Sequence, residues 1–257
     1  MSSYPKTRLF VEDTLRMGDQ LTIDGDQAHY LLRVMRASEG DVVALFNGRD
    51  GEWAARITAL AKKTVTLEVT QQLRDYLPPP DGWLCFAPIK FGRIDYLVQK
   101  ATELGAAVLQ PVMTQYTQAE RINEKRLLGN AIEAAQQCER VEVPQLRPAQ
   151  KLVQLIAQWP ADRLLIYADE SGDGVSPQDW LPTQNPDKWA ILIGPEGGFS
   201  PQERSLLTKM PNAQAISLGP RILRADTAAI SLLSLVQCFF GDWHIAPRWQ
   251  TPYIEGS

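Results

Sequence analysis

Two loops near the end of the 257-residue chain combine glycine, proline and charge beyond what ordinary turns require. The first, Gly194-Pro195-Glu196-Gly197-Gly198-Phe199-Ser200, follows the apolar run Ala190-Ile191-Leu192-Ile193. The second, Leu218-Gly219-Pro220-Arg221-Ile222-Leu223-Arg224-Ala225-Asp226-Thr227, follows Ala215-Ile216-Ser217. Each leaves an expected strand and enters an expected helix, which is where open α/β sheets bind ligands. A bare turn needs one or two glycines, so three within residues 194–198 favour close main-chain approach to a ligand. Together the loops predict one small-molecule pocket with main-chain walls. Ile193, Gly194, Pro195, Glu196, Gly197 and Gly198 would form one side; Leu218, Gly219, Ile222, Leu223 and Arg224 would form the other.

The side chains of these loops narrow the chemistry. Arginine stays protonated, so Arg221 and Arg224 suit an anion or developing negative charge. Asp226 and Thr227 stand at the start of the apolar stretch 228–240, where helix capping and chemistry account for them equally well. Lys90 and Arg93 follow another expected strand, residues 83–89, with phosphate binding and plain solvation both open. Ser200-Pro201-Gln202-Glu203 reads as a helix start: a capping serine, a proline at the first helical position, and a glutamate that completes a capping box.

Other chemistries lose support. No Gly-Lys-Ser/Thr ending makes the first loop a P-loop, and no Gly-x-Gly-x-x-Gly follows an early strand. A Rossmann-type methyltransferase would place its glycine-rich turn after the first strand, not the late ones. The two histidines, His29 and His244, fall in different expected domains, so a Ser-His-acid triad or a histidine metal site is hard to assemble. No metal is expected.

These loops need a sheet to hold them, and the pattern after residue 82 supplies one. Residues 83–89, 106–113, 164–168 and 189–193 are apolar and strand-like. Between them, Ile94, Leu97, Val98, Ala101 and Leu104 repeat at helical spacing before Gly105, and residues 124–140 and 151–159 read as further helices. Alternation of this kind predicts an α/β fold with a parallel sheet covered on both faces. Ahead of it, Leu77-Pro78-Pro79-Pro80-Asp81-Gly82 is a stiff connector. Residues 1–76 carry short strand signals at 8–11, 41–46, 52–60 and 64–70, a turn at 47–51, and a single helical pattern at 27–35. The expected domains are therefore a small β domain at 1–76, a linker at 77–82, and an α/β domain at 83–257.

Composition sets wider bounds. With 44% hydrophobic and 22% charged residues, the chain matches an ordinary globular protein. A net charge of -4 advertises no overall attraction to polyanions, so a nucleic-acid partner would need a local basic patch. Cys85, Cys138 and Cys238 lie far apart and form no Cys-x-x-Cys pair, which fits a reducing compartment. The amino terminus lacks the apolar core of a signal peptide, and residues 228–240 are too short to span a bilayer. The expectation is a cytoplasmic protein without membrane association.

Read together, the segments resemble a known family. Gln99-Lys100-Ala101-Thr102-Glu103-Leu104-Gly105, Pro111, Ala135-Gln136-Gln137-Cys138-Glu139-Arg140 with Val143-Pro144, and the two glycine loops occur in the order found in the bacterial ribosomal RNA small subunit methyltransferase E family of the SPOUT superfamily. Arg8-Leu9-Phe10 and residues 29–36 have counterparts in that family's first domain. Asp226 stands where the family is expected to carry glutamate, and Cys138 where serine is common.

The resemblance implies a PUA-like β-barrel, then a SPOUT-type α/β sheet whose carboxyl-terminal segment is tied into a trefoil knot, although true knots are nearly absent among proteins. It implies S-adenosylmethionine held bent in the knot, a homodimer, and methylation of uridine N3 in 16S ribosomal RNA, within the small ribosomal subunit. A ribose 2′-O-methyltransferase and a non-catalytic RNA-binding assembly module are the alternatives. On this reading Arg224 and Asp226 are catalytic, with Glu196 or bulk solvent as other candidates for the general base. RNA contacts are expected at Arg8, Arg33, Arg36, Lys90 and Arg93.

Overall fold

In a computed structural model, residues 4–5, 7–90, 92–118, 122–169 and 173–245 are described. The chain divides into two compact units. Among the described residues, the first runs to Pro78 and includes Ala135–Val143; the second comprises Pro79–Ala134 and residues 144–245.

The first unit is a mostly antiparallel sheet with one apolar core. Its elements are β1 (Arg8–Phe10), β2 (Gln20–Ile23), α1 (Gly25–His29), β3 (Val42–Phe46), β4 (Glu52–Leu60) and β5 (Val65–Arg74). The strands are ordered β1-β3-β4-β5-β2, with β1 parallel to β3 and the other pairs antiparallel. Strand β2 shows a clean alternation that the sequence reading passed over: Leu21 and Ile23 are buried while Gln20 and Thr22 face solvent. The helical pattern expected over 27–35 is instead α1 followed by a π turn, Tyr30–Val34, with Met35 N donating to Tyr30 O at 3.0 Å.

A buried ion cluster anchors this unit. Glu52, fully buried, accepts from Arg8 Nε at 2.6 Å and from Arg74 Nε at 2.6 Å, and Tyr4 donates its hydroxyl to the same carboxylate. Arg8 Nη1 also donates to the Ala135 and Gln136 carbonyls at 2.9 and 3.0 Å, and Nη2 to the Arg140 carbonyl at 2.6 Å. Burial pushes the Glu52 carboxyl up, but the two guanidiniums and the tyrosine outweigh it and hold it below the usual carboxylate range.

The second unit is built on a parallel sheet. Its elements are β6 (Asp81–Phe86), α2 (Arg93–Glu103), β7 (Val108–Met113), α3 (Glu124–Gln137, whose last turn falls in the first unit), β8 (Gln145–Leu146), β9 (Gln150–Lys151), α4 (Leu152–Ala157), β10 (Leu164–Ala168), α5 (Pro177–Trp180), β11 (Lys188–Ile193), α6 (Pro201–Thr208), β12 (Ala213–Ile216) and α7 (Ala225–Phe240). The order is β12-β10-β11-β6-β7-β8, with β9 pairing to β7. Strand β6 begins inside the stretch read as linker. Gly82 sits there because its neighbour in the sheet is the fully buried Trp189: a Cβ at position 82 would lie 2.2 Å from that ring.

Strands β6 and β11 are buried along almost their whole length, as expected of central parallel strands with helices on both faces. Helix α2 buries Ile94, Leu97, Val98 and Ala101, one stripe at 3.6-residue spacing. It stops in a Schellman motif: Gly105 takes φ 87°, its N–H reaches the Thr102 carbonyl, and Ala106 N–H reaches Ala101. Strands β6, β11, β10 and β12 all pair in parallel, so the loops leaving β10, β11 and β12 all emerge at one end of the sheet.

Candidate active site

The carboxyl end of β10 lies between the carboxyl ends of β11 and β12, with Ile166 opposite both Ile191 and Gln214. The loops that follow therefore meet, and they enclose a cavity of about 320 Å³. Residues 193–196 and Gly198 line one side; Leu218, Gly219, Ile222 and Leu223 line the other. Of the residues expected there, Gly197 and Arg224 do not line it. Gly197 is turned toward Tyr116, whose Cβ would be 3.2 Å from a Cβ on the glycine. Arg224 is exposed and is the residue preceding α7, with no side-chain cap hydrogen bond.

Seven lining residues had not been assigned to the site: Ala168, Asp169, Ser217, Pro220, Arg221, Ala225 and Ala228. Ala168 and Asp169 enter because β10 is sandwiched between β11 and β12, a strand order that local patterns do not reveal. Ala225 and Ala228 are i and i+3 on α7, and that spacing could have marked them.

Local chemistry fixes the first loop. Ser200 and Glu203 form the expected capping box: Glu203 Oε2 accepts from Ser200 N at 2.9 Å, and Ser200 Oγ accepts from Glu203 N at 3.3 Å. The other carboxylate oxygen accepts from Gln115 N at 2.8 Å, tying the turn after β7 to the start of α6. In the second loop Gly219 takes φ 96°, and a Cβ there would meet nothing within 4 Å, so the backbone conformation and not crowding calls for glycine. Asp169, on the cavity wall, accepts from Arg204 Nη1 at 2.8 Å.

The expected RNA contacts separate into two groups. Arg33, Arg36 and Lys90 are exposed, and Arg93 is half-buried. Arg8 is corrected: it is 6% exposed, and its guanidinium is engaged by Glu52 and three carbonyls, leaving it inside the first unit and not on an RNA-facing surface. Arg93 meets Asp226, the expected catalytic carboxylate, at 3.6 Å.

Comparison with known proteins gives this geometry a family. A family model described as an RNA methyltransferase domain matches residues 78–237, and one described as an RNA methyltransferase PUA domain matches residues 23–70. A ribosomal RNA small subunit methyltransferase E from Rickettsia conorii is 31% identical over 232 residues, covering 90% of this chain and 94% of the relative. The chain belongs to the ribosomal RNA small subunit methyltransferase E family. It is an S-adenosylmethionine-dependent methyltransferase. A putative methyltransferase from Legionella pneumophila, solved with bound S-adenosylmethionine, has a TM-score of 0.83 at 32% identity and covers 92% of this chain and 98% of its own. A probable rRNA-methyltransferase from Porphyromonas gingivalis has a TM-score of 0.78 at 28% identity, covering 91% and 98%.

The cavity suits that methyl donor. Its volume falls in the range of about 300–1,000 Å³ typical of small-molecule sites. Its walls are glycine-rich main chain and small apolar side chains, which can contact a purine, with Ser217, Asp169, Glu196 and Arg221 as polar groups. Among the described residues no cluster of histidine, cysteine, aspartate and glutamate has the make-up of a metal site. No helix among them is long and apolar enough to cross a membrane.

Proposed function

We propose that the protein transfers the methyl group of S-adenosylmethionine to N3 of a uridine in 16S ribosomal RNA, within the small ribosomal subunit. The supporting observation is the convergence of the two glycine loops, from β11 and β12, on one cavity at the carboxyl end of the sheet. Residues 193–196 and Gly198, with Leu218, Gly219, Ile222 and Leu223, would hold the cofactor, with Arg224 at its edge. Bound there, S-adenosylmethionine supplies a methyl group already activated on a sulfonium.

The chain then has to present a base, exclude water and handle one proton. Uracil N3 carries a proton on its pairing edge, so the base must be unpaired or flipped out. Loss of that proton spreads negative charge over two carbonyl oxygens. Arg224, at the amino end of α7, is the group assigned to stabilise it, and Asp226, in the first helical turn, to take the proton. Both flank Ala225, which lines the cavity. Arg33, Arg36, Lys90 and Arg93 serve the RNA backbone by charge.

The finer architecture belongs to the same reading. Strand β12 has β10 on one edge and the bridge residue Val175 on the other. The segment joining β10 to β11 thus passes along β12's far edge before returning, as expected if β12 threads that segment in a trefoil knot. Gly174 supports a tight passage: a Cβ on it would lie 2.6 Å from the Ile216 carbonyl carbon. In the first unit, register shifts along β4 and β5 support the reading of a PUA-like barrel, because bulges of this kind bend strands toward closure. A homodimer acting in the cytoplasm completes the proposal.

Incubating the protein with methyl-labelled S-adenosylmethionine and small subunits lacking the modification tests it. Label on uracil N3 is expected. Label on a ribose 2′-oxygen would replace the base assignment, and no transfer to RNA would remove the activity.

A further inference from the structure

The charged groups on the cavity wall are few, and their signs are informative. Two acidic residues line it, Asp169 and Glu196, and one basic residue, Arg221. Asp169 is bonded to Arg204, whereas among the described residues no hydrogen bond or ion pair fixes Arg221, which is exposed. The arginine that belongs to the cavity is thus Arg221, and Arg224, three residues later, lies outside its lining.

S-adenosylmethionine carries the opposite pattern at neutral pH. Its sulfonium and α-ammonium are positive, and its α-carboxylate is its single negative group. A guanidinium presents paired N–H donors in a planar fork that matches a carboxylate, and it keeps its charge at any working pH. Placing Arg221 against either cationic centre would be repulsive. Its complement in this ligand is the carboxylate.

We infer that Arg221 binds the α-carboxylate of the cofactor, so that the amino-acid end lies against the turn at residues 219–221. The inference rests on the reading of this cavity as the cofactor site. Gly219 and Pro220 shape that turn: the glycine supplies the left-handed φ of 96°, and the proline ring locks its own φ, so the main chain leading into Arg221 is restricted. Such an arginine contributes little to folding, because it has no partner to lose among the described residues. Its contribution arises when a carboxylate enters and both charges leave water. The same contact would let the enzyme distinguish its cofactor from nucleosides that share the adenosine but lack the acid.

Three nucleosides isolate the contact by calorimetry: S-adenosylmethionine, its decarboxylated form, and 5′-methylthioadenosine, which lacks the amino-acid end. The wild-type protein should prefer S-adenosylmethionine over the decarboxylated form by about tenfold or more, the scale of one hydrogen-bonded charge pair. Arg221→Gln should lose that preference, weakening S-adenosylmethionine by about tenfold while leaving the other two within about twofold. Arg221→Lys should recover part of the loss, because it restores charge without the fork. Unchanged thermal melting of both variants would show that the loop is intact.

Equal weakening of all three nucleosides by Arg221→Gln would overturn the inference in favour of a loop-shaping role. Unchanged nucleoside affinities with weaker RNA binding would reassign Arg221 to phosphate. A wild-type protein that binds none of the three would instead remove the cavity as the cofactor site, an outcome separable from failure of the carboxylate contact.

Discussion

Arg93 Nη1 stands 3.6 Å from Asp226 Oδ2, joining the first residue of α2 to the first turn of α7. The arginine side chain is 38% exposed and the aspartate 17%. A pair so long and so exposed is worth at most about 1 kcal/mol, so its importance lies in where it puts charge. It sets a cation beside the carboxylate assigned to proton transfer, at a strand's carboxyl end where RNA phosphate would pass. Arg93→Ala should therefore leave the melting temperature almost unchanged. It should weaken RNA binding and reduce the slope of log affinity against log salt by about 1, as expected for one lost phosphate contact. An unchanged salt slope would remove Arg93 from the RNA surface.

Arg224 and Arg221 make opposite predictions although three residues separate them. Arg224 does not line the cavity, so Arg224→Ala should bind S-adenosylmethionine within about twofold of wild type. Methyl transfer should fall by about 100-fold or more, the scale for removing a group aimed at developing negative charge. Single-turnover transfer at saturating cofactor, alongside calorimetry, separates the two effects. Near-normal transfer would take Arg224 out of the mechanism.

Glu203 is a structural residue at the edge of the site, and its loss should be felt twice. Its two oxygens hold Ser200 N and Gln115 N, and it is 6% exposed. Glu203→Ala leaves two N–H groups without their acceptor, at about 1–3 kcal/mol each where they stay buried. Ser200→Ala removes one cap and should cost about 1 kcal/mol. Urea unfolding measures both, and a Glu203→Ala variant no less stable than Ser200→Ala would refute the clamp. Because the clamp holds the turn after β7 against the glycine loop, Glu203→Ala should also weaken cofactor binding.

How much of this could be read from the chain depended on whether the determining interactions were local. The capping box at Ser200 and Glu203, the helix stop at Gly105 and the apolar runs of β10 and β11 are local patterns, and the structure has them where the residues indicate. The cavity was legible as two loops but not as a full lining. Asp169 joins it only because β10 pairs with both β11 and β12, and long-range strand order leaves no local trace. Arg8 shows the reverse failure. An arginine in a short amino-terminal strand looks like a surface cation until Glu52, 44 residues away, and carbonyls near residue 135 close around it. The π turn at Tyr30–Val34 was hidden for a subtler reason, since its apolar spacing is close to that of an α-helix.

Cysteine chemistry gives a direct check on burial. The Cys85 thiol lies on β6, one residue before its end, and is fully buried, and burial pushes its pKa up to about 12. The thiolate is the reactive form, so Cys85 should be inert to an aromatic disulfide reagent at pH 8 in the folded protein. Cys238, exposed on α7, should react at once unless a second copy covers it. Labelling of Cys85 before global unfolding would contradict the packing of the second unit.

The Glu52 cluster ties stability to pH with a defined sign. Its folded pKa is held below the ordinary value of 4.5, so ionised Glu52 favours the folded state. That stabilisation is fully present above the unfolded pKa and is lost as pH falls through the lowered folded one. Between neutral pH and about pH 5 the contribution should be flat; below it the wild-type protein should lose stability progressively. Glu52→Gln leaves Arg8 and Arg74 facing a neutral group in the interior, and losing one partner of such a buried pair costs about 3–5 kcal/mol. The gap between wild type and variant should then narrow as the pH drops, because protonation removes in the wild type what the substitution has already removed. Urea titrations at pH 7, 5 and 3.5 would show this, and a gap that stayed constant across that range would mean that Glu52 does not titrate with folding.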